Sequence, residues 1–202
     1  MKNDRTRADG ATADGARTDR QQIKNNTVKS SRKSDSKTKY LTLTAVYAAI
    51  IFVFTAYLHI PNWTGYVHVG DGVLFLAASM LPPGYAAVAG AVGAGLADVL
   101  SGYAVWAPGT VVIKSLTALF YTSKSAGFLC RRNYIALLPS LLLCAGGYYL
   151  YESLITGNWA APLAGIPGYL TQTALSALLY IIVGKSFDRM HLKGRILGGT
   201  RR

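Results

Sequence analysis

Charge is scarce through most of this chain. Between Tyr40 and Gly184 the charged side chains are Lys114, Lys124, Arg131, Arg132, Asp71, Asp98 and Glu152 and no others. Such sparseness excludes an ordinary solvated globule, in which about a quarter of residues are charged, and leaves no basic stripe to track a nucleic acid. Catalytic signatures are lacking too. There is no HExxH, no GxSxG and no Cys/His metal cluster, so neither a metal centre nor an enzyme is expected, and no cofactor. Gly184-Lys185-Ser186 looks like the end of a phosphate-binding loop, but that motif needs glycine at position 179, where Leu179 stands. Any ATP-driven work must therefore be powered by another polypeptide. Cysteine is nearly absent: Cys130 falls in a predicted turn and Cys144 inside an apolar run, a placement that suggests no bridge.

What is present is apolar and basic at once. Of 202 residues 51% are hydrophobic and 15% charged, with 21 Lys plus Arg against 9 Asp plus Glu, a formal net charge of +12. The two properties are segregated. Residues 1–39 carry 11 basic and 5 acidic side chains and no aromatic, without apolar periodicity, which predicts a disordered basic tail. The tail is too long for a secretory signal, and the apolar run from Tyr40 to about Leu58 is long enough to cross about 30 Å of hydrocarbon, so it reads as a retained membrane span. Five more apolar segments follow at 69–81, 84–100, 105–122, 134–151 and 168–184, the second of them short. Pro82-Pro83-Gly84, Ser101-Gly102 and the stretch Pro162 to Gly168 mark turns.

Placing the N-terminus inside puts Lys124, Arg131, Arg132, Lys185, Arg189, Lys193, Arg195, Arg201 and Arg202 on the cytoplasmic side, and leaves 59–68, 101–104 and 152–167 without Lys or Arg. The positive-inside rule thus predicts an all-α integral membrane protein of six transmembrane helices, N-in and C-in. The expected organisation is a tail at 1–39, a membrane domain at 40–187 and a basic C-terminal tail at 188–202. Trp63, Trp106 and Trp159 all fall on the outer side, with Tyr57, Tyr66, Tyr103, Tyr148, Tyr149, Tyr151 and Tyr169. They make either an interfacial belt or the lining of an outward-facing pocket.

Asp98 and Lys114 are predicted at similar depth in the third and fourth spans, either as partners of each other or as ligand contacts. Asp71, in His68-Val69-Gly70-Asp71-Gly72, opens the second span, where a helix-capping role is the default. Small residues repeat every fourth position in the third span (Ala86, Gly90, Ala94; Ala89, Gly93, Ala97), the spacing that lets membrane helices approach closely. Ala45 and Ala49 form another such pair on the first span.

The run GYVHVGDGVLFLAASMLPPGYAAVAGAVGAGLADVLSGYAVWAPGTVVIKSLTAL resembles the S component of energy-coupling factor (ECF) transporters, in the branch holding riboflavin-type and hydroxymethylpyrimidine-type members. The likeness covers about residues 40–187, and VHVGD, GAGLAD through Asp98, and the stretch from Ala107-Pro108 to Ile113-Lys114 carry most of it. It implies the six-helix S-component fold in a bacterial-type plasma membrane, with a vitamin or precursor bound from outside. The compound is expected to be a small heteroaromatic: hydroxymethylpyrimidine, pyridoxine or riboflavin-like. Delivery would pass through a T component and two ATPase subunits. The resemblance assigns Ala45 and Ala49 to T-component contact, and sets the substrate site in the outer half under the loop at about 59–69. Candidate substrate contacts are then Trp63, His68, Asp71, Asp98, Tyr103, Trp106, Lys114 and Trp159. The alternatives are an autonomous secondary transporter with Asp98 and Lys114 as an ion relay, or a ligand-free membrane scaffold.

Overall fold

Each predicted apolar segment forms a helix in the computed structural model, which describes residues 28, 35–62 and 65–198, and of 60–62, 65 and 66 the backbone alone. The chain divides into two units, Met1–Tyr40 and Leu41–Arg202. Of the first unit, the described residues beyond Val28 are 35–40, which are helical; the rest of the predicted tail lies outside the described residues. Helix α1 is Asp35–Ala56, so it starts five residues before the predicted span, with Asp35 in a first turn where a carboxylate suits the helix dipole.

Beyond it run α2 (Gly70–Met80), α3 (Pro83–Leu100), α4 (Ala107–Phe120), α5 (Arg131–Thr156), α6 (Ile166–Arg189) and the short α7 (Leu192–Leu197). Proline sits in the first turn of α3, α4 and α6, where its missing N–H costs nothing. Gly157, with φ 65°, ends α5 in the left-handed conformation that favours glycine. Helices α1, α3, α5 and the segment Ala161–Arg189 are long and apolar enough to cross a membrane; α2 and Ala104–Phe120 are shorter. At 11 residues α2 rises only about 16 Å.

One departure from the all-helical expectation is the segment after α1. There β1 (His59–Asn62) and β2 (Gly65–His68) pair as an antiparallel hairpin, with His59 opposite His68.

Close packing rests on the small residues. A Cβ on Gly93 of α3 would come within 2.5 Å of the Ala48 carbonyl oxygen of α1, so these backbones touch. A Cβ on Gly72 of α2 would lie 2.7 Å from the Ser176 carbonyl oxygen of α6. The same test fixes the antiparallel register of α3 and α4, since Gly90 faces Lys114 and Gly95 faces Val111. Far from the hairpin, the segment 121–130 is held by side chains. Asp188 accepts from the Phe128 and Leu129 amides at 2.6 and 2.9 Å, Asn133 bonds Thr122 and Phe128, and Lys193 of α7 donates to the Ser79 carbonyl at 2.6 Å.

Candidate functional site

At the hairpin end, α2, α4, α5 and α6 bring buried polar groups together. The centre is an ion pair. Lys114 Nζ lies 2.8 Å from Asp71 Oδ1 and donates to Oδ2 at 2.9 Å, with the lysine 1% and the aspartate 4% exposed. Gln172 of α6 donates Nε2–H to the same Oδ2 at 3.0 Å, and its amide nitrogen also reaches Cys144 Sγ at 3.8 Å. Removing both charges from water is tolerable because each oxygen of the carboxylate is hydrogen-bonded.

Aromatic rings wall the pair. The Lys114 ammonium sits 5.1 Å from the Tyr148 ring centre, close enough for a cation–π attraction. Tyr148 stacks on Tyr169 at 5.0 Å and 19°, and Trp106 meets Tyr148 edge-on at 6.4 Å. The hydroxyls are engaged: Tyr148 shares a 2.9 Å bond with Thr110, and Tyr169 donates to Glu152 at 3.3 Å. Ile113, Cys144 and Ala145 complete the buried cluster around these rings.

Asp98 and Lys114 are predicted at similar depth, as partners or as ligand contacts; the ion pair of Lys114 is with Asp71. Because Gly90 faces Lys114, Asp98 lies eight residues further along α3, about 12 Å of helix rise. Asp98 stands two residues from the end of α3, whereas Lys114 stands seven residues into α4. Asp98 is buried, and its backbone carbonyl accepts from the Tyr103 amide at 2.8 Å. Asp71 does not act as the cap of α2 either. The cap position is Val69, while Asp71 sits in the first turn and turns its carboxylate to Lys114.

The other candidates separate. His68 is buried beside the start of α2, and Trp106 and Tyr103 are half-buried. Trp159 is 55% exposed, packing on Tyr149 rather than on the ion pair. Trp63 lies outside the described residues. Ala45 and Ala49 are exposed on α1, flanked by exposed Leu41, Val46, Ile50 and Val53, whereas Thr44, Tyr47, Ile51 and Thr55 turn inward.

The sequence did not single out Gln172, and it offered Tyr148 and Tyr169 only among the outer aromatics of a belt or a pocket. Gln172 carried a usable signal, a lone amide inside the apolar run Tyr169 to Val183.

His68 ties the hairpin to α2. Its Nδ1 accepts the Gly70 amide at 3.1 Å, which requires the neutral ring. A Cβ on Gly70 would collide with Thr55 Oγ1 and approach His68, so only glycine fits this junction. Burial holds the imidazole down to about 4, from an ordinary 6.5, against the Asp71 carboxylate, which raises it, while Lys114 and His59 add to the lowering. A depressed histidine value means the unfolded chain binds the proton first, so stability falls as pH drops from about 6.5 toward 4. The expected loss is about 2 kcal/mol between neutral pH and about pH 5. Melting curves of the purified protein across that range should show it, and His68→Gln should flatten the slope; an unchanged slope would remove His68 as its source.

No group of three or more His, Cys, Asp and Glu suited to a metal ion occurs among the described residues. In comparison with known proteins, the family described as ECF-type riboflavin transporter, S component, matches residues 35–189. No curated protein matches the chain.

Proposed function

Since the chain belongs to the family of ECF-type riboflavin transporter S components, a vitamin-uptake subunit of the membrane, we propose that it captures riboflavin or a closely similar flat heteroaromatic from outside the cell. It then hands the compound to a T component driven by two ATPase subunits. The observation that carries this reading is the neutral ion pair of Asp71 and Lys114, buried between helices and set against the Tyr148 and Tyr169 rings. Aromatic walls with a few directional polar groups are the usual composition of a small-molecule site. In this reading all six helices from α1 to α6 cross the plasma membrane, N-in and C-in, with the hairpin over the site on the outer side. The chain performs no chemistry of its own.

Against the ion-relay alternative stands the direct pairing of Lys114 with Asp71. Support for a T-component partner comes from α1, whose Ala45 and Ala49 face outward with a strip of exposed aliphatic side chains. Small residues on an outward face permit a second helix to approach closely.

Binding and uptake separate these two parts of the proposal. Purified protein without ATP should quench riboflavin fluorescence saturably, with pyridoxine and hydroxymethylpyrimidine titrated in parallel by thermal shift. The variant carrying Ala45→Leu and Ala49→Leu should bind as well as the native chain and lose uptake in cells by at least about tenfold, since two bulky side chains block close helix approach. Absence of binding by all three compounds refutes the capture role, and intact uptake by the double variant refutes the α1 interface.

A further inference from the structure

The end of the bundle far from the hairpin exposes charge of one sign. The unit Leu41–Arg202 has four acids. Asp71, Asp98 and Glu152 are buried, and the half-buried Asp188 spends its two oxygens on the Phe128 and Leu129 amides at 2.6 and 2.9 Å. Those bonds bring the start of α5 against the last turns of α6, and Gly184 of α6, where a Cβ would lie 3.1 Å from Leu129, is in the same contact. Arg131 and Arg132 open α5, Lys185 and Arg189 belong to the last turns of α6, and all four are exposed at this corner. Each pair heads an apolar stripe. On α5, Arg131 is followed at helical spacing by the exposed Ile135, Leu138 and Leu142. On α6, the exposed Leu175, Leu178 and Ile182 lead at the same spacing to Lys185 and Arg189. The two helices pack against each other, and both are long and apolar enough to cross a membrane.

We propose that this corner of α5 and α6 holds an anionic phospholipid, its phosphate on Arg131, Arg132, Lys185 and Arg189 and its acyl chains along the two stripes. Guanidinium and ammonium groups both bind phosphate oxygens, the guanidinium through two parallel bonds. Long basic side chains at the ends of membrane helices reach to the headgroup level while their stems stay on apolar surface. Asp188 does not compete for these cations, because the two amides already occupy it. A zwitterionic headgroup brings an ammonium of its own among four like charges, so a headgroup of net negative charge is favoured. A free phosphate satisfies the cations and leaves the stripes unused, whereas a lipid covers both. In the N-in, C-in orientation proposed above, the corner meets the cytoplasmic leaflet, whose surface is negative. The site is separate from the Asp71–Lys114 pair, at the other end of the bundle, and takes no part in vitamin capture.

Native protein in an uncharged detergent is incubated with equimolar dioleoyl phosphatidylglycerol and dioleoyl phosphatidylcholine, and the retained lipid is counted by native mass spectrometry. Phosphatidylglycerol should be retained at least about tenfold over phosphatidylcholine. Equal retention overturns the proposal. Glycerophosphoglycerol, the same headgroup without chains, should fail to displace the lipid at equal concentration. Displacement by it assigns the corner to a free phosphate group and overturns the lipid. Two variants of equal charge change then locate the preference. Arg131→Gln with Lys185→Gln should lower the ratio by about fivefold or more, while Lys124→Gln with Arg195→Gln, exposed at the same end but outside the stripes, should leave it within about twofold. Equal effects of the two variants mean that the summed charge of this end attracts the lipid, and they remove the corner as its site. The two lipid comparisons on the native chain decide the matter even where a variant fails to fold, and none of these outcomes bears on riboflavin capture.

Discussion

Replacing Asp71 with alanine is expected to cost about 3–5 kcal/mol of stability, because the Lys114 ammonium is left buried without its counter-charge. The groups that stay beside it are a poor substitute. Tyr148 offers only its ring face at 5.1 Å, and Gln172 turns an amide N–H rather than an acceptor to this point. Riboflavin binding should disappear with the carboxylate. The companion substitution of both partners, Asp71→Leu with Lys114→Met, should melt above the single variant, since no ion is then stranded and two apolar side chains of similar bulk fill the space. Thermal denaturation in detergent compares the three proteins. A single variant as stable as the native chain would show that Lys114 finds water or another acceptor, and that the pair does not organise the site.

Gly72→Ala is expected to act on the same place through packing. The added Cβ would sit 2.7 Å from the Ser176 carbonyl oxygen and within 2.9 and 3.1 Å of Leu179. A backbone oxygen cannot rotate away, so α2 and α6 must move apart. Overpacking of this kind costs about 1–3 kcal/mol. The movement also separates Asp71, the next residue on α2, from Gln172 on α6, whose hydrogen bond is 3.0 Å long. Riboflavin affinity should fall by about tenfold or more, for loss of a charged hydrogen bond. Gly84→Ala is the control. A Cβ there meets nothing within 4 Å, so its expected effect is neutral or slightly stabilising through reduced freedom of the unfolded chain. If Gly72→Ala behaves like Gly84→Ala, the contact between α2 and α6 is not what positions the pair.

The helices were legible in the sequence because apolar length and Pro/Gly punctuation are local properties. Six predicted segments became six helices, with ends displaced by up to five residues. That Lys114 needs a partner was legible too, since a charge inside an apolar run demands one, whereas Asp71 read first as a helix cap at the boundary. Which partner was not. Pairing depends on the register between helices, and Gly90 and Gly95 fix that register by where they let α3 meet α4, a relation no single segment reveals. Trp159 shows the converse failure. Its residue type suited a pocket, but its place on the turn after α5 leaves it facing outward. Tyr148 and Tyr169 looked no different from the other outer tyrosines until two helices stacked their rings.

Helix α2 is short, yet it is fastened at both extremities. At its first residue the Gly70 amide is bonded to His68 and the backbone is wedged against Thr55; near its last, the Ser79 carbonyl is gripped by Lys193, a residue 114 positions away in the chain. A rod pinned at two ends does not fray. It answers a pull at one end by sliding or tilting as a whole. The hairpin and the C-terminal segment are thereby joined through a single helix, with Asp71 standing between the two anchors.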